Sequence, residues 1–142
     1  MSSVRVRQEL VGEPTSARDA RRLVTRTLEE WDLAHLEDAA VLLVSEVVTN
    51  AVLHARTSLA VEISRGGDVV RVTVSDRSAA TPRRRRPGLH AGTGRGLGLL
   101  SVMATDWGTG PAEDPWRKDV WFELPTDPEA LPRPEDDALR GL

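Results

Sequence analysis

The chain has 142 residues, no cysteine and a net charge of −3. This length predicts one domain with a core large enough to need no disulfides, and the missing cysteines exclude thiolate metal sites and a cysteine nucleophile. The negative net charge argues against a general nucleic-acid binder. The sequence shows no leader and no long uncharged apolar run, which predicts a cytoplasmic protein without a membrane span.

The first half of the chain predicts a strand followed by two helices. Residues 3–11 alternate valine with arginine at the period of a half-buried strand. Residues 12–33 carry an apolar stripe at helical spacing, with Thr15 or Ser16 as the N-cap. Residues 36–55 are apolar around most of the helix circumference, which predicts a helix buried on several sides.

The second half predicts a hairpin, a long loop, a short helix and two further strands. The strands at 59–64 and 69–76 have period two and are joined by Arg-Gly-Gly-Asp at 65–68, a strong hairpin signal. The remaining segments are a glycine- and proline-rich loop at 77–96, a helix at 97–105, a strand and turn at 106–111, a strand at 119–125 and an acidic, proline-rich tail at 126–142.

The order β-α-α-β-β-α-β-β predicts an α+β fold. We expect a two-layer α/β sandwich, in which helices cover one face of a mixed, mostly antiparallel sheet. Residues 1–125 are predicted to form this domain, and residues 126–142 are predicted to be a disordered tail.

Three polar side chains interrupt the apolar second helix. Glu46, Asn50 and His54 are four residues apart, so they lie on one slanted line along the helix. Burial of a carboxylate and an amide without partners is costly. A structural hydrogen-bond network, exposure to solvent or a ligand must therefore satisfy them, and the glycine-rich loop elsewhere in the chain favours a ligand.

A hard cation is the ligand that suits this stripe. Mg²⁺ prefers oxygen donors and takes one or two protein ligands together with waters and substrate phosphates. The amide oxygen of Asn50 suits a direct ligand, and Glu46 could hold a metal-bound water or deprotonate an attacking hydroxyl. For His54, a packing or capping role near the helix end weighs at least as much as a chemical one.

A run of glycines precedes the short third helix in Gly-Thr-Gly-Arg-Gly-Leu-Gly at 92–98. Glycines let backbone N–H groups converge on an anion, and a helix N-terminus adds partial positive charge. The run therefore predicts a phosphate-binding loop, although a flexible linker explains the glycines about equally well. It is not a P-loop, because no lysine followed by serine or threonine comes after the glycines.

Asp76 closes the apolar strand at 69–76. An acidic residue in this position often only caps a turn. An ionised acceptor at the floor of a pocket also suits the exocyclic amine of adenine. The residues by themselves leave both interpretations open.

In order along the chain, these motifs resemble the ATP-binding (Bergerat) fold of the GHKL superfamily, which includes DNA gyrase and histidine kinases. The segment 46–55 resembles the N-box, Glu-x-x-x-Asn; 75–78 lies where the G1 box belongs, and 94–100 matches the G2 box. With the ending at 105–124, the pattern is similar to the single-domain anti-sigma-factor serine/threonine kinases and related regulatory ATPases of high-GC bacteria. The resemblance covers roughly residues 10–124.

The resemblance implies ATP and Mg²⁺ as cofactors. Glu46 would act as the catalytic base or hold a water, Asn50 would coordinate Mg²⁺, and Asp76 would bind the adenine amino group. The loop at 77–96 would be a mobile lid over ATP. The implied nucleotide-binding residues are Asn50, Asp76, Ser78, Gly92, Thr93, Gly94, Arg95, Gly96, Leu97 and Gly98.

The resemblance also implies the partners. The substrate would be a serine of a small anti-anti-sigma protein, and the nucleotide-bound form would sequester a sigma factor, with a homodimer possible. One departure concerns the G1 box, since Asp76 is followed by Ser78 and Ala80 where the fuller motif has two glycines. This keeps open a catalytically weak or inactive nucleotide-binding module that acts by sequestration, and a pseudo-ATPase without nucleotide.

The arginines at 83–86 lie within the predicted lid. They are interpreted as a solvated charge run, or as a source of an arginine that reaches the triphosphate or an acidic partner. No aromatic residue lies among them, which disfavours a nucleic-acid surface. The four tryptophans, at 31, 107, 116 and 121, are expected to be core or partly buried packing residues.

Overall fold

A computed structural model describes residues 4–78, 100 and 102–127. The elements are β1 (Val4–Leu10), α1 (Ser16–Glu30), a 3₁₀ turn (Ala34–Leu36), α2 (Glu37–His54), β2 (Leu59–Gly66), β3 (Val69–Asp76), β4 (Asp106–Pro111) and β5 (Lys118–Pro125). Leu100, Val102 and Met103 are helical, in agreement with the predicted third helix. Most of the predicted lid, the arginines at 83–86 and the tail beyond 127 lie outside the described residues.

The described strands form one five-stranded sheet in the order β1-β2-β3-β5-β4. Every pair of neighbours is antiparallel, so the parallel pairing allowed by the predicted mixed sheet does not occur among these strands. Antiparallel neighbours need only short connections, and β2–β3 and β4–β5 are joined by such connections. The α+β class is confirmed.

The hairpin between β2 and β3 forms at the predicted sequence. The strands extend further than predicted, because Gly66 pairs with Val69 and leaves only Gly67 and Asp68 in the turn. Gly67 has φ of +61°, a conformation that glycine adopts without steric cost. This tight turn fixes the register of the two strands, in which Asp76, the last residue of β3, pairs with Leu59.

The two long helices cover one face of the sheet, as predicted. Alternate residues of β2, β3 and β5 form one buried cluster with side chains of α1 and α2. Members from these three strands are Leu59, Val61, Ile63, Val70, Val72, Val74, Phe122 and Leu124. Burial of these side chains on one face is the main force that joins helices and sheet. Within the part of the chain that the structure describes, neither helix is apolar over a length that could cross a bilayer.

The apolar stripe of α1 is confirmed, and the N-cap is Thr15, one of the two predicted residues, but without a capping hydrogen bond. Thr15 occupies the N-cap position with φ of −65° and ψ of −17°, and its side chain makes no capping hydrogen bond. These angles are already helical, whereas a capping side chain needs an extended backbone. The hydroxyl of Ser16 instead accepts hydrogen bonds from the N–H groups of Gly12 and Glu13, at 3.1 and 3.2 Å.

The second helix is less enclosed than its composition predicts. Its buried residues are Ala40, Leu43, Val44, Val47, Val48 and Ala51. Leu42 and Leu53 remain 40% and 50% exposed. They are separated by only about 20° around the helix axis, so the exposed pair marks a side of α2 that does not face the core.

The other face of the sheet carries charged and aromatic side chains. The guanidinium of Arg71 lies 2.6 Å from the Glu123 carboxylate and 4.1 Å from the ring centre of Trp121. Trp116 is 5% exposed, with the guanidinium groups of Arg7 and Arg77 at 5.9 and 5.2 Å from its ring. The expectation that the tryptophans are buried or partly buried is confirmed.

Asp119 on this face provides a test of the packing. Burial raises the pKa of Asp119 from its ordinary value of 3.8, while the Ser75 hydroxyl and Arg7 oppose the rise. Because the folded state then holds this proton more tightly, its deprotonation destabilises the fold as pH rises. We expect Asp119→Asn to raise the free energy of unfolding relative to wild type near pH 7, and this gain to vanish toward pH 4.

Urea denaturation of both proteins from pH 4 to pH 7 checks this expectation. Asp68→Asn, in the exposed turn of the hairpin, is the matched control and should show a difference from wild type that is independent of pH. A difference between Asp119→Asn and wild type that does not change with pH would contradict the effect of burial.

Candidate functional site

A small cavity lies where the last turns of α2 meet β3 and β5. Its lining residues are Val47, Asn50, Ala51, Val74, Asp76, Lys118 and Val120. The cavity has a volume of about 20 Å³, which is room for about one water molecule. Four apolar side chains form its walls, and an amide, a carboxylate and an ammonium group supply its polar atoms.

Asp76 is the most buried charged residue of this cavity, at 1% exposure. Its Oδ1 atom accepts a hydrogen bond from the Ser78 N–H at 2.7 Å, and its Oδ2 atom lies 3.5 Å from Nζ of Lys118. Asp76 therefore does cap the turn after β3, and it also forms part of a pocket wall. The capping role is confirmed, and the contact with the adenine amine stays a prediction.

Lys118 is a site residue that the sequence analysis missed. It is the only lysine of the chain, and its side chain is 19% exposed. Lys118 stands directly opposite Asp76 in the β3–β5 register, and the backbone N–H of the preceding Arg117 donates to the Asp76 carbonyl at 2.8 Å. The sequence offers no signal for this pairing, since only the folded sheet places β5 beside β3.

Of the three polar residues of the α2 stripe, only Asn50 lines the cavity. Asn50 lines it with Asp76, as expected for residues that serve one ligand. Glu46, one turn earlier, is half-buried and is not among the described residues that line the cavity; His54 is the exposed last residue of α2. The rotation of about 40° for each step of four residues carries the stripe away from the cavity.

Residues 10–114 match the family model of the histidine kinase-like ATPase domain. The chain belongs to this family. The match covers about three quarters of the 142 residues and includes α2, β3 and the glycine run. No curated protein matches the chain. The histidine kinase-like ATPase assignment agrees with the GHKL resemblance and indicates ATP binding.

ATPase domains of this type bind ATP, generally with Mg²⁺. The described residues contain no group of three or more histidine, aspartate or glutamate side chains that could hold a metal ion. Mg²⁺ does not need such a group when phosphate oxygens and waters complete its coordination. The amide oxygen of Asn50, at the cavity, therefore fits the donor set of a histidine kinase-like ATPase domain.

The structure describes Ser78 but not the predicted phosphate loop. Ser78 is half-buried, and its N–H contributes to the turn around Asp76. The predicted phosphate loop, with Gly92, Thr93, Gly94, Arg95, Gly96, Leu97 and Gly98, lies outside the described residues. Its role in phosphate binding stays a prediction.

Proposed function

We propose that this chain is an ATP-binding regulatory protein, an anti-sigma factor that phosphorylates a serine of a small anti-anti-sigma protein. The observation that carries the nucleotide-binding part is the convergence of Asn50 and Asp76 on one apolar cavity. They lie on different elements, α2 and β3, and each has the chemistry expected at one end of a bound nucleotide. The family match also supports ATP binding.

The cavity is the proposed base site. Val47, Ala51 and Val74 offer apolar surface to a planar ring, and the Asp76 carboxylate can accept a hydrogen bond from an exocyclic amine. Because the cavity now has room for about one water molecule, the base can enter only if side chains move apart. Lys118, with its long stem, is the lining side chain best able to move.

The α2 stripe is the proposed phosphate-facing part of the site. Asn50 would hold Mg²⁺, which neutralises charge on the phosphates when bound. Glu46 lies one turn earlier on the same helix, where its carboxylate would accept the proton of the substrate serine hydroxyl. The glycines at 92–98 would bind the phosphates through their N–H groups.

The test begins with calorimetric titration of the purified chain with Mg²⁺·ATP. Transfer is then measured with γ-labelled ATP and small anti-anti-sigma-type proteins as substrates. Saturable binding followed by label on a serine of the partner is the expected result. Absence of binding would contradict the whole proposal, and binding without transfer would contradict its kinase part.

A second candidate function is a nucleotide-binding module that acts only by sequestering its partner. The observation that favours it is the position of Glu46, which the described part of the cavity wall does not include. Under this alternative, ATP would change the affinity for a sigma factor or antagonist, and no phosphate would be transferred. The transfer assay described above separates the two functions.

Replacing Asn50 tests the proposed metal ligand. Asn50→Ala is expected to weaken Mg²⁺·ATP binding at least about tenfold, the cost typical of disturbing a metal site. Binding of ATP in EDTA should change much less, because Asn50 would act through the cation. Calorimetric titrations with and without Mg²⁺ measure this difference.

Thr49→Ala is the matched control, since Thr49 is the exposed neighbour of Asn50 on the same helix turn. It should bind Mg²⁺·ATP like wild type. An equal loss of affinity for Asn50→Ala with and without Mg²⁺ would show that Asn50 serves the nucleotide or the fold, and not the cation.

A further inference from the structure

Arginines form a row along the outer face of α1. Arg18, Arg22 and Arg26 are exposed and stand four residues apart, so they are neighbours on one side of the helix. Arg21 lies beside the row and donates a hydrogen bond to the Ser45 hydroxyl of α2 at 2.9 Å. Within the part of the chain that the structure describes, the arginines of the row form no ion pair. Like charges at this spacing repel one another, so the row favours an acidic ligand.

A groove between α1 and α2 runs beside this row. It consists of two hollows that share the lining residues Arg21, Thr25 and Val41. The arginines lie along most of its α1 side, and Leu42 and Ser45 lie on its α2 side. The groove is therefore basic along most of its length.

The end of the groove nearest the connection between α1 and α2 is acidic. Its lining residues there are Glu29, Glu37 and Asp38. Burial raises the pKa of the Glu37 carboxyl above its ordinary value of 4.5, and Glu29 and Asp38 add to the rise. The Oε1 atom of Glu37 is buried and has no hydrogen-bond partner among the described residues. This end of the groove therefore favours a cation.

The chain leaves the sheet beside this acidic end. The Thr126 carbonyl accepts a hydrogen bond from Nε2 of His35, which lies in the 3₁₀ turn between α1 and α2. Residues 128–142 continue from this point. An extended chain advances about 3.3 Å per residue, so the seven residues 128–134 can span about 23 Å. The part of α1 from Glu29 to Arg18 is only about 17 Å long, so the segment can reach every arginine of the row.

The charges of the segment 128–142 follow the same order as their complements in the groove. Arg133 comes first, and the consecutive acids Glu135, Asp136 and Asp137 come after it. Glu129 precedes Arg133, closer to the point where the chain leaves the sheet. A segment that enters at the acidic end would thus bring a guanidinium to the carboxylates and then three carboxylates to the arginines, with the geometry that favours paired hydrogen bonds.

We infer that residues 128–142 fold back along the groove between α1 and α2, with Arg133 at its acidic end and Glu135, Asp136 and Asp137 on the arginines of α1. The inference does not depend on the proposed function, because the groove shares no lining residue with the nucleotide cavity. While the segment is bound, the arginines are not accessible to another acidic ligand. The segment is then a built-in competitor that such a ligand must displace.

The experiment traps the segment by a disulfide in the full chain, which has no cysteine of its own. Thr25→Cys in the groove is combined with Ala138→Cys in the segment, and this pair leaves every charge in place. The control pair is Asp68→Cys with Ala138→Cys. Asp68 is exposed, and its carbonyl accepts a hydrogen bond from the Thr126 N–H at 2.8 Å, so an unbound segment would reach it at least as easily.

Disulfide formation in a glutathione buffer is expected to be at least about tenfold faster for the groove pair than for the control pair, because binding raises the effective concentration of the two thiols. Each rate is divided by the rate at which the matching single-cysteine variant reacts with a neutral disulfide reagent, since nearby arginines make a thiol more reactive. If Thr25→Cys does not fold, Leu42→Cys on the exposed α2 side of the groove takes its place.

Neutralising the acids tests the charge pairing. Glu135→Gln, Asp136→Asn and Asp137→Asn together should slow trapping in the groove about tenfold, the factor expected when several exposed ion pairs are lost together. Glu129→Gln is the matched control, because this acid comes before Arg133, and it should leave the rate within about twofold.

Three other results would overturn the inference. Equal corrected rates for the groove pair and the control pair would show that the segment does not bind there, and would leave the groove to a separate acidic partner. Fast trapping that persists after the three acids are neutralised would contradict the charge pairing. Disulfides between two chains, in place of disulfides within one, would make a second copy the source of the segment.

Discussion

Glu46→Gln is expected to slow phosphate transfer to the partner serine by about 10²- to 10⁴-fold, the usual contribution of a positioned general base. The amide keeps the size of the side chain but cannot accept the serine proton. The Kd for Mg²⁺·ATP should stay within about threefold of wild type, because Glu46 is not among the described residues of the base cavity. Single-turnover transfer of γ-labelled phosphate, beside calorimetric binding, measures both quantities.

The control for this variant is Asp38→Asn, which removes an exposed carboxylate two turns earlier on α2. It should transfer phosphate like wild type. If Glu46→Gln transferred phosphate at the wild-type rate, another residue would be the general base. If transfer and Mg²⁺·ATP binding were lost in parallel, Glu46 would hold the nucleotide or its metal. No transfer by wild type itself would favour the sequestration function.

Lys118→Met is expected to lower the free energy of unfolding by about 1 to 3 kcal/mol, the cost of leaving a buried polar group without its partner; the 19% exposure of the Lys118 side chain keeps the loss below that of a fully buried ion pair. The cause is Asp76, which is 1% exposed and would lose the cation beside it. The Ser78 N–H would remain as a donor to Oδ1, which limits the loss without replacing the ammonium group. Urea denaturation at pH 7 measures the change.

A second substitution separates loss of charge pairing from loss of packing. Asp76→Asn in the Lys118→Met background should recover most of the stability, because it removes the unpaired charge and its amide oxygen can still accept from Ser78. Arg5→Met is the control, since Arg5 lies 4.0 Å from Glu62 in an exposed ion pair, and it should cost less than about 1 kcal/mol. Equal losses for Lys118→Met and the double variant would point to packing alone.

Most of the fold could be predicted because its signals are local. The Arg-Gly-Gly-Asp turn predicts the β2–β3 hairpin, and the apolar spacing predicts α1 and its buried stripe. The departures concern properties that depend on neighbours: Thr15 takes the N-cap position without a capping hydrogen bond, and Leu42 is exposed because only one side of α2 meets the core. Composition shows that a helix is apolar, but it does not show which sides of the helix pack against other elements.

The candidate site was predictable in part for the same reason. Asn50 and Asp76 belong to recognisable motifs, and the folded chain brings them to one cavity. Lys118 belongs to no motif, and its partner lies far away along the chain. The pairing exists because β5 lies beside β3 in a register that puts position 118 opposite position 76, and such a register is a property of the whole sheet.

The stretch that matches the family ends at residue 114, whereas β5 begins at Lys118. The strand that places a positive charge in the pocket therefore lies outside the stretch that the family model matches. A single codon change at position 118 can alter the electrostatics of the pocket and leave every motif intact. The charge of the pocket can thus change while the family assignment stays the same.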